Sequence, residues 1–141
     1  TVEVPKSLNV DIDDGSGSIF VTGIAKNLKI VDGSGSIEIR MTAGPISISD
    51  GSGAIDLTDI TGNLEVKDGS GKINIDRVKG NVYIVDGSGS MTIKDIDGSL
   101  TVTDGSGSIE ISDVTQNVFI KDAGSGILEI EGVKGEVVKR E

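Results

Sequence analysis

The sequence predicts an all-β protein, a parallel β-solenoid of about seven 18-residue coils in a single domain. Three observations carry that expectation. The tetrapeptide Asp-Gly-Ser-Gly recurs at Asp14, Asp32, Asp50, Asp68, Asp86 and Asp104, always 18 residues apart, and a modified DAGSG starts at Asp122 after the same interval. The apolar residues, 35% of the chain, are almost all Ile, Val or Leu and fall in fixed columns of the repeat. Glycine is abundant at 21 of 141 residues, whereas Phe20, Phe119 and Tyr83 are the only aromatics. Branched residues at alternate positions favour strands over helices, and glycine suits the corners between them.

The repeating units begin at Asn9, Asn27, Pro45, Asn63, Asn81, Ser99 and Asn117, with half-coils at 1–8 and 136–141. One unit reads NLEVKDGSGKINIDRVKG; the last carries one extra residue, most simply Ala123. Numbering each unit from its first residue, positions 2 and 4 are Val, Ile or Leu, and 3 and 5 are mostly polar, which reads as a short strand. Positions 6 to 9 are the DGSG corner. Position 11 is Ile or Met in the first six units and position 13 is Ile, Val or Leu, giving a second strand over 10 to 14. A brief third segment surrounds an apolar position 16 before a Gly or Asn turn; at Thr42, which breaks the apolar rule, Met41 is expected to help fill the space. Alternation turns positions 2, 4, 11 and 13 to one side.

A single unit cannot bury that side alone, so successive units are expected to stack in register, each strand pairing with its counterpart one unit later. An antiparallel meander of 9-residue strands is the rival. It is disfavoured because the two halves of each unit differ in turn chemistry, while whole 18-residue units match. The left-handed hexapeptide coil needs an apolar residue every sixth position, which these columns break, so a right-handed or flattened coil is expected. Seven or eight coils at roughly 4.8 Å each make a rod about 35 Å long.

The repeated GSGSI or GSGxI segments, with Gly-Asn or Gly-Ser restarts at Gly62-Asn63, Gly80-Asn81 and Gly98-Ser99, resemble the bacterial putative-adhesin β-repeat family, the "head GIN"-type domains. The resemblance covers nearly the whole chain. It implies a parallel β-helix at the cell envelope or outside the cell.

The net charge of −10 and a pI near 4.4 argue against nucleic acid and against docking on anionic lipid. No apolar run approaches the ~18 residues that span a bilayer, so direct membrane insertion is not expected. The chain has no cysteine and no histidine, which leaves catalysis to carboxylates, Lys, Arg, Ser or Tyr. The acids Asp59, Asp95 and Asp113 recur at position 15, and that regularity reads as a solvated turn rather than a catalytic pair. No enzyme activity and no cofactor are expected. A P-loop is excluded by the missing lysine and helix, and position 14 (Thr22, Arg40, Thr58, Asp76, Lys94, Ser112) forms no ice-binding threonine lattice.

Stacking would place Asp14, Asp32, Asp50, Asp68, Asp86, Asp104 and Asp122 in one file, neighbours about 5 Å apart, repelling by roughly 0.8 kcal/mol in water and more if desolvated. Two readings stay open. In the favoured one each carboxylate accepts N–H bonds from its own Gly-Ser-Gly, an Asx-type turn. In the other the file is a ladder of calcium ions, although the spacing matches neither the EF-hand nor the nonapeptide calcium pattern.

Tyr83 and Phe119 share outward position 3, with Val85 beside them, and form a candidate lateral contact; a carbohydrate site there is not expected. The ends offer a sharper expectation. Val2 and Val4 read like positions 11 and 13, Val137 and Val138 like positions 2 and 3, and no cap is evident, so tail and head would complete one coil. The expected function is therefore a structural protein, extracellular or on the cell surface, that assembles head to tail with itself. The start at Thr1 suits a processed secreted protein or a fragment. The alternatives are a monomeric adhesin-like module of a longer membrane-anchored protein and a calcium-stabilised solenoid.

Overall fold

A computed structural model describes residues 9–23 and 26–140. Along the chain run β1 (Val10–Asp14), β2 (Gly17–Thr22), β3 (Leu28–Asp32), β4 (Gly35–Ala43), β5 (Ile46–Asp50), β6 (Gly53–Thr61), β7 (Leu64–Asp68) and β8 (Gly71–Lys79). Then follow β9 (Val82–Asp86), β10 (Gly89–Asp97), β11 (Leu100–Asp104), β12 (Gly107–Val114), β13 (Val118–Asp122), β14 (Leu128–Val133) and β15 (Val137–Lys139). Odd strands form one parallel sheet in the order β1-β3-β5-β7-β9-β11-β13-β15. Even strands form the other, from β2 at one end to β14 at the other. The chain is a parallel β-solenoid of about seven 18-residue coils.

Register follows the repeat. Ile48 pairs with Val66, Leu57 with Ile75, and Gly53 with Gly71, each partner being 18 residues on. Positions 2, 4, 11, 13 and 16 of both sheets merge into one core, in which Ile30, Ile39, Leu57, Val66, Ile84, Ile93 and Val102 have no exposed surface. Each added coil repeats the same apolar columns, so burial grows linearly along the rod.

The corner is itself part of the ladder. The N–H of Gly69 donates to the Asp50 carbonyl of the preceding coil at 3.0 Å, and the N–H of Gly71 donates to the Ser88 carbonyl of the next at 3.1 Å. Coils are therefore hydrogen-bonded through the bend as well as along the strands. This close approach explains the second glycine of DGSG. Gly71 has φ +135°, and a Cβ there would overlap the Gly53 carbonyl oxygen.

The third segment expected around position 16 is the end of the long even strands β4, β6, β8 and β10, which run on to position 17. What separates the two parts is a left-handed residue at position 15: Met41 (φ 52°), Asp59 (56°), Arg77 (58°), Asp95 (55°) and Asp113 (59°), with Gly23 (75°) and Gly132 (64°) in the same column. Residues 13 and 16 of an ordinary strand point to opposite faces. The left-handed residue resets the alternation, so Leu57 and Ile60 are both buried while Asp59 stays outside. Asp tolerates this conformation better than most residues, which accounts for its recurrence.

Met41 does not fill the space at Thr42. In the left-handed conformation its side chain points out and is 63% exposed. Thr42 itself is buried, and its Oγ1 has no hydrogen-bond partner. Asparagine at position 1 also has a role that the sequence did not reveal. Oδ1 of Asn63 accepts the Asn81 N–H at 3.1 Å, and Oδ1 of Asn81 accepts the Ser99 N–H at 3.1 Å, tying the turn to the next coil.

Two substitutions test this packing. Gly71→Ala loses more than ~2 kcal/mol in urea unfolding, because it adds both a strained φ and an overlap with backbone; Ser90→Ala, in the exposed column where Ala54 already sits, stays within about 0.5 kcal/mol. Thr42→Val removes the orphaned hydroxyl and raises stability by about 1 kcal/mol; lower stability would mean that the hydroxyl is satisfied.

Candidate functional site

The aspartates of the corner lie where strand alternation puts them. Positions 2, 4 and 6 share a face, so the carboxylate at the end of each odd strand turns inward with the core residues. Asp32, Asp50, Asp68, Asp86 and Asp104 are between 1% and 6% exposed. In each, Oδ1 accepts the N–H of the serine two residues on, from 3.2 Å at Ser34, Ser52 and Ser70 to 3.1 Å at Ser88 and Ser106. The Asx-type turn expected from the sequence is present. Oδ2 of all five is buried and has no partner.

Burial is the main force acting on these groups. It pushes the carboxyls of Asp68 and Asp86 up to about 6, and raises those of Asp50 and Asp104 as well. Neighbouring charges in the file act in the same direction: Asp86 and Asp50 on Asp68, Asp104 on Asp86, Asp32 on Asp50, and Asp122 on Asp104. The serine N–H bonds oppose the shift without cancelling it.

The two ends of the file differ from its middle. Asp14 is half-buried, with the Ser16 N–H at 3.3 Å. Asp122 departs from the expected file. The register shifts between Val102 and Thr103, so that Asp122 pairs with Thr103 and is exposed. Its Oδ1 accepts the Gly124 N–H at 2.9 Å, and Ala123 takes a buried place at 8% exposure. The extra residue of the seventh unit thus swaps an inward carboxylate for a methyl group. Among the described residues no group of three or more acidic side chains is arranged to hold a metal ion.

The other predicted residues are more scattered. Asp59, Asp95 and Asp113 are exposed at the left-handed position, and Arg77 bridges to Asp59 at 2.6 Å and Asp76 at 3.0 Å. Its guanidinium holds the Asp59 carboxyl below the usual range. Tyr83, Val85 and Phe119 are half-buried in the outer face of the odd sheet. Lys121 Nζ lies 5.3 Å from the Tyr83 ring centre and the Arg140 guanidinium 5.9 Å from that of Phe119, so both rings carry a cation. An open groove of about 720 Å³ runs along the restart turns, lined by Asn9, Asn27, Asn63, Asn81, Ser99 and Tyr83 among others.

Val2 and Val4 lie outside the described residues. Val137 and Val138 lie in β15, paired with Val118 and Phe119, and are 46% and 42% exposed. Leu128, Ile130 and Val133 of β14 are only partly buried, although their counterparts Ile109, Ile111 and Val114 in β12 are at most 1% exposed. No helix among the described residues is long and apolar enough to cross a membrane.

The fold and these features define a tandem-repeat β-solenoid. Compared with known proteins, the chain matches no family model, no curated protein and no solved structure.

Proposed function

We propose that the protein is a non-enzymatic structural rod, extracellular or at the cell envelope, that joins end to end with copies of itself. One observation supports this reading: each coil docks in register on a coil with the same apolar columns, a contact that a further copy can continue. Among the described strands β14 and β15 stand last in their sheets, and Ile130 is only partly buried and Val137 exposed where the same columns are sealed in every interior coil. The occupant that fits is a second copy. Each coil of this chain already docks on a coil with the same columns, so the first coil of another copy offers the matching strand edge and apolar rows. Such a contact is heterologous, and repeated without closure it gives a filament. The lack of histidine and cysteine, and the uniformity of the coils, favour a mechanical role over chemistry. A likeness to the head-GIN β-repeat domains would fit the same envelope setting.

The groove beside Tyr83 favours a second reading, an adhesin-like module that binds a partner along its restart turns. Sedimentation and negative-stain microscopy of the 141-residue chain at micromolar concentration separate the two. Growth into filaments is expected, and Val137→Lys with Val138→Lys, which places charges on the edge strand, is expected to return the rod to monomers. A wild-type chain that stays monomeric contradicts assembly.

A further inference from the structure

Among the described residues, five carboxylate oxygens have neither solvent nor partner, the Oδ2 atoms of Asp32, Asp50, Asp68, Asp86 and Asp104. They lie in successive coils, in register, so neighbours are about 4.8 Å apart along the file. Among the described residues nothing positive faces them. The charged groups that act on them are one another, with Asp122 at one end. The residues turned inward from the facing strands, Ile37, Ile55, Ile73, Met91 and Ile109, are apolar, while Lys67, Lys72 and Lys121 are exposed. Five adjacent buried charges without a counter-ion are strongly unfavourable. Neutralisation must come from a bound cation or from protons.

The geometry decides between them. A metal cation needs six or more oxygen ligands and room to sit among them. The Oδ2 atoms have no accessible space beside them, and a proton needs none. The seventh coil makes the same point independently, since the buried place there is filled by uncharged Ala123 while Asp122 moves out to solvent.

We propose that the aspartate column is a proton-binding site that makes the solenoid more stable in acid than at neutral or alkaline pH. Each proton, taken from water, binds an Oδ2 and converts a buried carboxylate into a neutral acid. Asp50, Asp68, Asp86 and Asp104, each acted on by a neighbouring carboxylate, titrate as a coupled set rather than as independent residues. Unfolded aspartates release their protons near the ordinary value of about 3.9, whereas Asp68 and Asp86 hold theirs to about 6. Between those values the folded chain binds more protons than the unfolded one. The added stability is therefore fully present below about 4 and is lost as pH rises through about 6.

Thermal unfolding tests this directly. The wild-type Tm is expected to fall by roughly 5–10 °C from about pH 4.5 to about pH 8. Asp68→Asn with Asp86→Asn, which mimics the protonated acids, flattens that slope and exceeds the wild type at pH 8. Asp13→Asn with Asp56→Asn, at exposed positions, keeps the slope and so separates the column from the general relief of negative charge. A wild-type Tm that is flat or rises with pH overturns the proposal, and so does equal flattening in both double variants. A rise in wild-type Tm on adding calcium or potassium at pH 8, absent from the column variant, overturns it in favour of a cation ladder. Infrared spectroscopy of the wild type at about pH 5 does not depend on variants folding. A protonated-carboxyl band is expected there, and its absence contradicts the proposal.

Discussion

The spacing between hydrogen-bonded coils is the constraint from which the rest of this structure follows. Coils pair through both sheets and through the corner, where Gly69 and Gly71 donate in opposite directions along the rod. At about 4.8 Å between strands, the backbone of one corner lies against that of the next, and a side chain at Gly71 would overlap the Gly53 carbonyl. The 18-residue period follows, because a change of length that no bulge absorbed would shift every later inward residue against its counterpart. The one insertion, in the seventh unit, is absorbed as a bulge beside Thr103 before the register resumes at Ile109 and Leu128.

Two devices reconcile that spacing with a filled core. The left-handed residue at position 15 resets the strand alternation, so that positions 13 and 16 both face inward. The aspartate at position 6 caps the end of the odd strands from β1 to β11 by accepting the serine N–H, which holds the bend in shape. In Asp32, Asp50, Asp68, Asp86 and Asp104 the second oxygen is left in the interior without a partner. The same stacking that gives the corner its hydrogen bonds therefore aligns buried carboxylates that repel one another. Structure and electrostatics are coupled here because one side chain serves both.

Much of this was legible in the sequence. The 18-residue beat and the apolar columns at 2, 4, 11 and 13 are enough to require in-register parallel stacking, since no single unit can cover its own apolar side. The Asx turn was legible from Asp-Gly-Ser-Gly itself. The burial of the aspartates was legible too, had the alternation of positions 2 and 4 been carried on to 6. Two features were not. Position 15 holds Gly, Met, Asp and Arg in different coils, so no residue type announces its left-handed backbone. The place of Asp122 depends on where a bulge settles between Lys121 and Ala123, and the local sequence permits more than one choice.

The central claim is that each coil sits one strand spacing above the last. The chain has no cysteine, so pairs of spin labels can be placed without background. Asp11 with Thr101 on one sheet and Phe20 with Glu110 on the other are outward positions related by five coils. Pulsed dipolar spectroscopy should give backbone separations of about 24 Å for both pairs, and about 14 Å for Asp11 with Glu65, which is three coils away. Separations about twice as large, as a meander of 9-residue strands would produce, would contradict it.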